Sequence, residues 1–145
     1  MDGGFDQVVC DTFGWVVQDK VQASIQRWHG GMCPVGSCVV VPLTDFGQHL
    51  ISTPTMESPG RIQYTLNVFW AMRAAAMRVK VNWVPQTMGD QFAICPGLGT
   101  ATGQVTPGAA AMQMAAALDT EGLKAKSWSA AMRVLKQLDR MRAVG

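Results

Sequence analysis

The residues best suited to chemistry in this chain are the glycines and threonines of "ICPGLGTATGQVTPGAAAM", residues 94–112. An apolar run precedes this segment and an alanine-rich run follows it. Glycines let backbone N–H groups face one point without a Cβ in the way, and the start of a helix adds partial positive charge. Such a loop could hold a phosphate. A flexible turn between a strand and a helix is the other interpretation.

The loop differs from two familiar phosphate-binding motifs. No Gly-Lys-Ser/Thr sequence follows it, so it is not a Walker A loop. Read as GxGxxG from Gly97, it has Thr102 in place of the third glycine, and Gly103 comes one position late. The local pattern alone therefore favours an ordinary turn.

Metal and redox chemistry have little support in the sequence. The four cysteines contain no CxxC pair, and the two histidines are not spaced to complete a zinc site with them. We therefore expect no metal and no cofactor, and we interpret the cysteines as buried free thiols in a reducing cytoplasm. Cys95 lies next to the loop without a nearby histidine base, and we expect it to be a buried small hydrophobe.

Composition limits the class of protein and its partners. The 145 residues fit one globular domain, with 48% apolar and 15% charged residues. A formal net charge of +2 gives no support for nucleic acid or an acidic membrane as the main partner. Without a signal peptide or an apolar run near ~18 residues, the chain is expected to be soluble and cytoplasmic.

The elements that would position the loop follow from apolar spacing and from turn residues. Residues from Phe5 to about Arg27 have helical spacing that Gly14 interrupts, which indicates one helix or two short ones. Strands are predicted at "SCVVVPL", "HLISTPT" and "QFAICP". Ser58-Pro59 and Thr106-Pro107 each predict a helix start, and a final amphipathic helix is predicted after Ser127.

Strands that alternate with helices favour an α/β fold. We therefore predict a three-layer α/β/α sandwich around a mixed, largely parallel sheet, in a single domain over residues 1–145. The loop would lie at the carboxyl end of the third strand, where ligand crevices form in such folds.

Two long segments resemble the macro domain family, whose members bind ADP-ribose. They are "VVVPLTDFGQHLISTPTMESPGRIQYTLNVFWAMRAA" and "FAICPGLGTATGQVTPGAAAMQMAAAL". The similarity is greatest to a branch common in phage and microbial genomes, which carries a "PTM" strand end and a "PGLGTG" loop. The start, "MDGGFD", is similar to the glycine loop before that family's first long helix. The resemblance covers most of residues 1–118, and the C-terminal amphipathic helix in 119–145 lies outside it.

The resemblance implies that the diphosphate and distal ribose of ADP-ribose lie between two glycine loops. Pro54 and Thr55, at the end of a neighbouring strand, would border the cleft. The first loop would comprise Asp2, Gly3, Gly4, Phe5 and Asp6. The second would comprise Gly97, Leu98, Gly99, Thr100, Ala101, Thr102, Gly103 and Gln104.

The resemblance also leaves hydrolysis open. In hydrolytic members an acid two residues after the first loop's glycines positions a water near the distal ribose, and Asp6 has that place here. The chain could thus cleave ADP-ribosyl linkages or ADP-ribose 1″-phosphate. The structural interpretation of Asp6 is a first-turn acid that the helix dipole stabilises.

The chain departs from the family at its start. Family members have two strands and an asparagine-containing loop before the first glycine motif, whereas this chain begins at that motif. We therefore expect an N-terminally truncated form of the fold with an unpaired sheet edge. A homo-oligomer, or a partner, would cover that edge. The alternative function is a non-enzymatic assembly protein with a vestigial pocket.

Overall fold

The computed structural model describes residues 5–45, 47–82, 93–122, 133 and 136–141. Two helices come first, then a hairpin of two strands, then two longer helices that pack on each other. Residues 136–141 are helical as well. The elements are α1 (Phe5–Phe13), α2 (Val16–His29), β1 (Val39–Pro42), β2 (His49–Ser52), α3 (Asn67–Asn82) and α4 (Pro107–Gly122).

The predicted fold class is wrong. The structure is mostly helical and has a two-stranded antiparallel sheet, not a largely parallel α/β/α sandwich. Val39 pairs with Ser52 and Pro42 with His49, and the N–H of Leu43 donates to the carbonyl of Gln48 at 2.8 Å. The short segment 43–48 joins the strands. A parallel pair would need a crossover of about a dozen residues or more, so this connection permits only a hairpin.

The third predicted strand is also absent from the described residues. Residues 93–96 have no regular secondary structure, and positions 91 and 92 lie outside the described ranges. The glycine loop therefore follows an irregular segment instead of the carboxyl end of a sheet strand. Periodicity could not reveal this, because a short apolar run does not by itself define a strand, and residues 93–95 are exposed here.

The first helical segment is divided at Gly14 into two helices, which is one of the two alternatives that the sequence left open. Gly14 has φ +89°, and the N–H of Val17 donates to its carbonyl at 3.1 Å, which starts α2. The buried valines of both helices pack against β1 in the cluster that we call the sheet cluster. Its buried members are Val9, Val17, Val21, Val39 and Val41.

A second cluster, the loop cluster, lies between α3, α4 and the glycine loop. Small side chains at Ala109 and Ala110 let α4 come close to Val68 of α3. The prediction that Thr106-Pro107 starts a helix is confirmed, since Thr106 Oγ1 accepts the N–H of Ala109 at 3.3 Å. The buried members of the loop cluster are Ile62, Val68, Val105, Ala109 and Ala110.

The start of α3 differs from the prediction. Ser58-Pro59 does not begin a helix; residues 57–66 form bends and turns, and α3 starts at Asn67. In a helix one turn longer, the N–H of Phe69 would bond to the carbonyl of Thr65. Gln113 from α4 lies between them instead. Its Oε1 accepts the Phe69 N–H and its Nε2 donates to the Thr65 carbonyl, each at 3.0 Å.

The last predicted helix is described only in part. Residues 136–141 are helical, and Leu138 is buried against Phe69, Ala116 and Ala117. Trp128, Met132 and Leu135, predicted to lie on its apolar side, fall outside the described residues.

Replacing Gln113 by leucine tests how much this amide contributes to stability. Gln113 is 1% exposed, and Gln113→Leu would leave the buried Phe69 N–H and the part-buried Thr65 carbonyl without their partners. Each such group costs about 1–3 kcal/mol. We expect the free energy of unfolding, measured by urea denaturation, to fall by roughly 2–4 kcal/mol. Exposed Gln22 of α2 is the control: Gln22→Leu should change it by less than ~0.5 kcal/mol. Equal effects would contradict the role of Gln113.

Candidate functional site

The first predicted glycine loop is only partly visible. Asp2, Gly3 and Gly4 lie outside the described residues, while Phe5 and Asp6 form the exposed first turn of α1. The buried Val9 of α1 belongs to the sheet cluster. The second glycine loop belongs to the other cluster. The catalytic role of Asp6 therefore stays a prediction.

The second glycine loop is a compact turn that bonds to itself. Thr100 Oγ1 donates to the Gly97 carbonyl at 2.9 Å. The N–H of Gln104 donates to Ala101 at 3.0 Å, and the N–H of Val105 to Gly99 at 3.1 Å. Gln104 has φ +55°, a left-handed conformation that is uncommon outside glycine. The loop therefore holds a defined shape through its own hydrogen bonds.

Two glycines of this loop are required by packing. A Cβ on Gly99 would lie 2.9 Å from Val68 Cγ2, and Gly99 also has φ +71°. A Cβ on Gly103 would lie 2.6 Å from the Gly99 carbonyl oxygen and 2.7 Å from Ile62 Cγ1. These positions therefore let the loop lie directly on Ile62, whose N–H donates to the Gly103 carbonyl at 2.9 Å.

The structure brings the "PTM" segment and the second glycine loop together. Met56 and Leu98 pack on the same loop cluster from two distant parts of the sequence. The backbone carbonyl of Thr55 accepts a hydrogen bond from Asn67 Nδ2 at 2.9 Å, and so ties this segment to the start of α3. Pro54 and Thr55 are both half-buried.

A cavity of 440 Å³ opens beside this junction. Its polar lining residues are Glu57, Ser58, Arg61 and Asn67, the last being the first residue of α3. A helix N-terminus and a guanidinium both favour an anion. The remaining lining residues are Val35, Met56, Gly60 and Ile62. Ile62 thus contacts both the cavity and the glycine loop.

Sequence reasoning missed Arg61, Glu57 and Ser58 as site residues. We interpreted residues 57–61 as a helix entry, which gave Ser58 a capping role and left Arg61 without one. For Asn67 the sequence favoured a satisfied polar residue of the long helix over one that faces the cleft. It lines the cavity, and its amide donates to Thr55. The sequence signal that could have indicated these residues is that Ser58 and Arg61 follow "PTM" within five positions.

The four cysteines differ in their burial. All four lie in the described part of the chain and none forms a disulfide. Cys10 and Cys33 are buried as expected, but Cys95 is exposed, so the expectation of a buried Cys95 is wrong. Partial burial of its thiol, 3.9 Å from the sulfur of Met72, still raises the pKa of Cys95.

Neither a metal site nor a membrane span is found in the described residues. No group of three or more His, Cys, Asp or Glu side chains there could hold a metal ion. Within the same ranges, no helix combines the length and the apolar character that crossing a bilayer requires.

The chain was compared with models of known protein families, with curated proteins and with solved structures, and none of the three comparisons found a match.

Alanine substitutions test whether Gly103 is required by packing, with Gly108, which has free space around it, for comparison. Gly103→Ala would force a Cβ to within 2.6 Å of a backbone oxygen, so we expect a loss of about 1–3 kcal/mol in the free energy of unfolding. Gly108 is the matched control, because a Cβ there would have nothing within 4 Å. Gly108→Ala should be neutral or slightly stabilising in a helix. Urea denaturation measures both, and equal stabilities would contradict the packing role of Gly103.

Proposed function

We propose that the protein binds ADP-ribose, or a related nucleotide diphosphate, in the cavity beside the second glycine loop. The observation that carries the proposal is the meeting of Met56 and Leu98 on one cluster. These residues belong to the two segments that resemble separate walls of the macro domain pocket. Their proximity supports a shared site even though the fold class expected from that resemblance is wrong.

The polar groups of the cavity suit a diphosphate. The guanidinium of Arg61 can form paired, charge-assisted hydrogen bonds to phosphate oxygens, and the N-terminus of α3 at Asn67 adds partial positive charge. Glu57 offers carboxylate oxygens that can accept from ribose hydroxyls. A volume of 440 Å³ falls within the range of about 300–1,000 Å³ common for small-molecule sites.

The glycine loop supports the cavity indirectly: Ile62 lines the cavity, and its N–H donates to the Gly103 carbonyl, whereas residues 97–104 are not among the lining residues. The hydroxyl proton of Thr100 is already donated to the Gly97 carbonyl, so this side chain is not the first candidate for donating to phosphate. A cytoplasmic location, expected from the sequence, remains part of this proposal.

Replacing Arg61 tests the site directly. Arg61→Gln removes the positive charge but keeps a hydrogen-bonding amide, so we expect ADP-ribose affinity to fall roughly tenfold to hundredfold, in line with about 1.5–3 kcal/mol for bonds to charged groups. Isothermal titration calorimetry gives the affinity. Arg78→Gln is the control, since Arg78 is exposed on α3 and does not line the cavity.

Two outcomes would contradict the proposal. One is the absence of binding heat with the unaltered protein at millimolar ADP-ribose. The other is an equal affinity for ADP-ribose in the Arg61→Gln and Arg78→Gln variants, which would place the ligand elsewhere. Titration with ribose 5-phosphate and with ADP then identifies which part of the ligand is recognised.

A second candidate function is assembly without catalysis, with the cavity as a vestigial pocket. The observation that favours it is the number of exposed large apolar side chains on α1, α2 and the turn between them. Trp28 is 69% exposed, and the phenyl ring of Phe5 and the isopropyl group of Val8 lie one helical turn apart on α1. The other exposed apolar residues of this surface are Phe13, Trp15 and Val16. Surfaces of this kind mark interaction sites, and we take a second copy of the chain as the partner.

Light scattering tests the assembly candidate. A charge at the apolar surface should weaken a contact between two copies, so Val8→Lys is expected to lower the oligomeric mass toward that of a monomer. Gln7→Lys is the control, because Gln7 is an exposed polar residue on the same helix. A monomeric unaltered protein would rule the candidate out.

A further inference from the structure

The solvent-facing side of α4 is almost entirely apolar. A surface helix of a globular protein normally carries charged and polar residues on the side away from its core. Among positions 107–119, whose burial the structure describes, Asp119 is the one exposed residue with a polar side chain. Met112 is 45% exposed and Leu118 is 51% exposed. The other exposed residues are Pro107, Gly108, Ala111 and Ala115. We call this set of residues the outer face of α4, and its composition is that of a buried helix face.

The opposite side of α4 already packs on the protein itself. Ala109 and Ala110 belong to the loop cluster, and Ala116 and Ala117 form a cluster with Phe69 of α3. Residues three and four positions apart lie on the same side of a helix, so these alanines form one continuous inner side. The outer face points away from it.

The shape of the outer face suits close contact with a second helix. Gly108, Ala111 and Ala115 follow each other at steps of three and four residues along its middle, and Met112 and Leu118 lie on either side of them. Small side chains let two helix axes come close, and larger side chains beside them can then pack around the neighbouring helix.

The charge at one end of the outer face indicates which helix that is. Asp119 lies in the last turn of α4, which contains no basic residue, so its carboxylate faces the partial negative charge of its own helix end. Beside a helix N-terminus the same carboxylate would be stabilised. A second copy of α4, antiparallel about a midpoint between residues 113 and 114, brings its Gly108 opposite Asp119 and its Ala115 opposite Met112. A parallel pair would bring the two carboxylates together.

We infer that α4 is the interface of a homodimer in which two copies pack their outer faces antiparallel. The interface is isologous, because each copy contributes the acid at one end of the contact and the helix N-terminus at the other. Residues 108–119 extend over about 17 Å of helix. A stable dimer buries about 800 Å² on each partner, so a contact through one short helix gives a dimer that exchanges with the monomer. The inference does not depend on the proposed function or on the exposed side chains of α1 and α2.

Sedimentation velocity over a series of protein concentrations tests the inference. The unaltered chain is expected to change from monomer to dimer as its concentration rises. Ala115→Lys places a long charged side chain in the middle of the outer face, so this variant should stay monomeric over the same series. Ala23→Lys is the matched control, since Ala23 is an exposed alanine within α2, and it should dimerise like the unaltered chain.

A charge reversal at Asp119 distinguishes the dimer contact from a role within one copy. Asp119→Lys replaces an acid by a base at the C-terminal end of its own helix, so the urea midpoint of the dilute, monomeric protein should rise. The lysine would face the N-terminus of the partner's α4, so the dissociation constant of the dimer should also rise several-fold. Asp45→Lys makes the same charge change in the hairpin turn and should leave that constant unchanged.

Three results would overturn the inference. The first is a chain that stays monomeric at every concentration. The second is a dimer that Ala115→Lys and Asp119→Lys both leave intact. The third is a dimer that Val8→Lys dissociates and Ala115→Lys does not, which would place the contact on α1 instead.

Discussion

The buried amide of Gln113 sets the geometry on which the rest of this structure depends. A carboxamide presents one acceptor and two donors at the end of a short chain, much as the backbone does. Here it stands between a carbonyl and an N–H that would otherwise close another helical turn of α3. Because that turn cannot close, the chain before Asn67 leaves the helix axis. The same side chain fixes α4 against α3, so helix boundary and helix packing are determined together.

The irregular segment before α3 is what makes a cavity possible. The bends of residues 57–66 let Glu57, Ser58 and Arg61 line one space together with Asn67 of α3. The glycine loop supports this arrangement from the other side through Ile62. Its glycines at positions 99 and 103 allow this close packing.

The sequence correctly predicted the structural features that are determined by residues close together in the chain. The break at Gly14, the two strands of the hairpin and the start of α4 each follow from a glycine, a β-branched run or a capping threonine. The late start of α3 could not be predicted in this way, because it depends on Gln113, which is distant in sequence. Its only trace is a single polar residue within "AAAMQMAAA". The fold class failed for a related reason: alternation of elements was taken to mean parallel strands, although the connection 43–48 is too short for a crossover.

For the candidate site, the sequence indicated some of the residues, and only the structure shows which of them share a cluster or a cavity. The sequence pointed to the glycine loop and to Pro54 and Thr55 through a family resemblance, and in the structure Met56 and Leu98 pack against the same cluster. Arg61 could not be assigned to the site from the sequence, since its position depends on bends that no local pattern signals. Asp6 remains a prediction because α1 belongs to the sheet cluster.

The division into two clusters also has a consequence for how the chain acquires its structure during synthesis. Every buried residue of the sheet cluster precedes residue 42, whereas the loop cluster needs residues from 62 to 110. Contacts between near neighbours in sequence form early, since little loop entropy is lost in closing them. The α1–α2–hairpin unit can therefore assemble while later residues are still in the ribosome. α3 obtains its final boundary only after Gln113 has emerged, so the cavity is completed later than the sheet cluster.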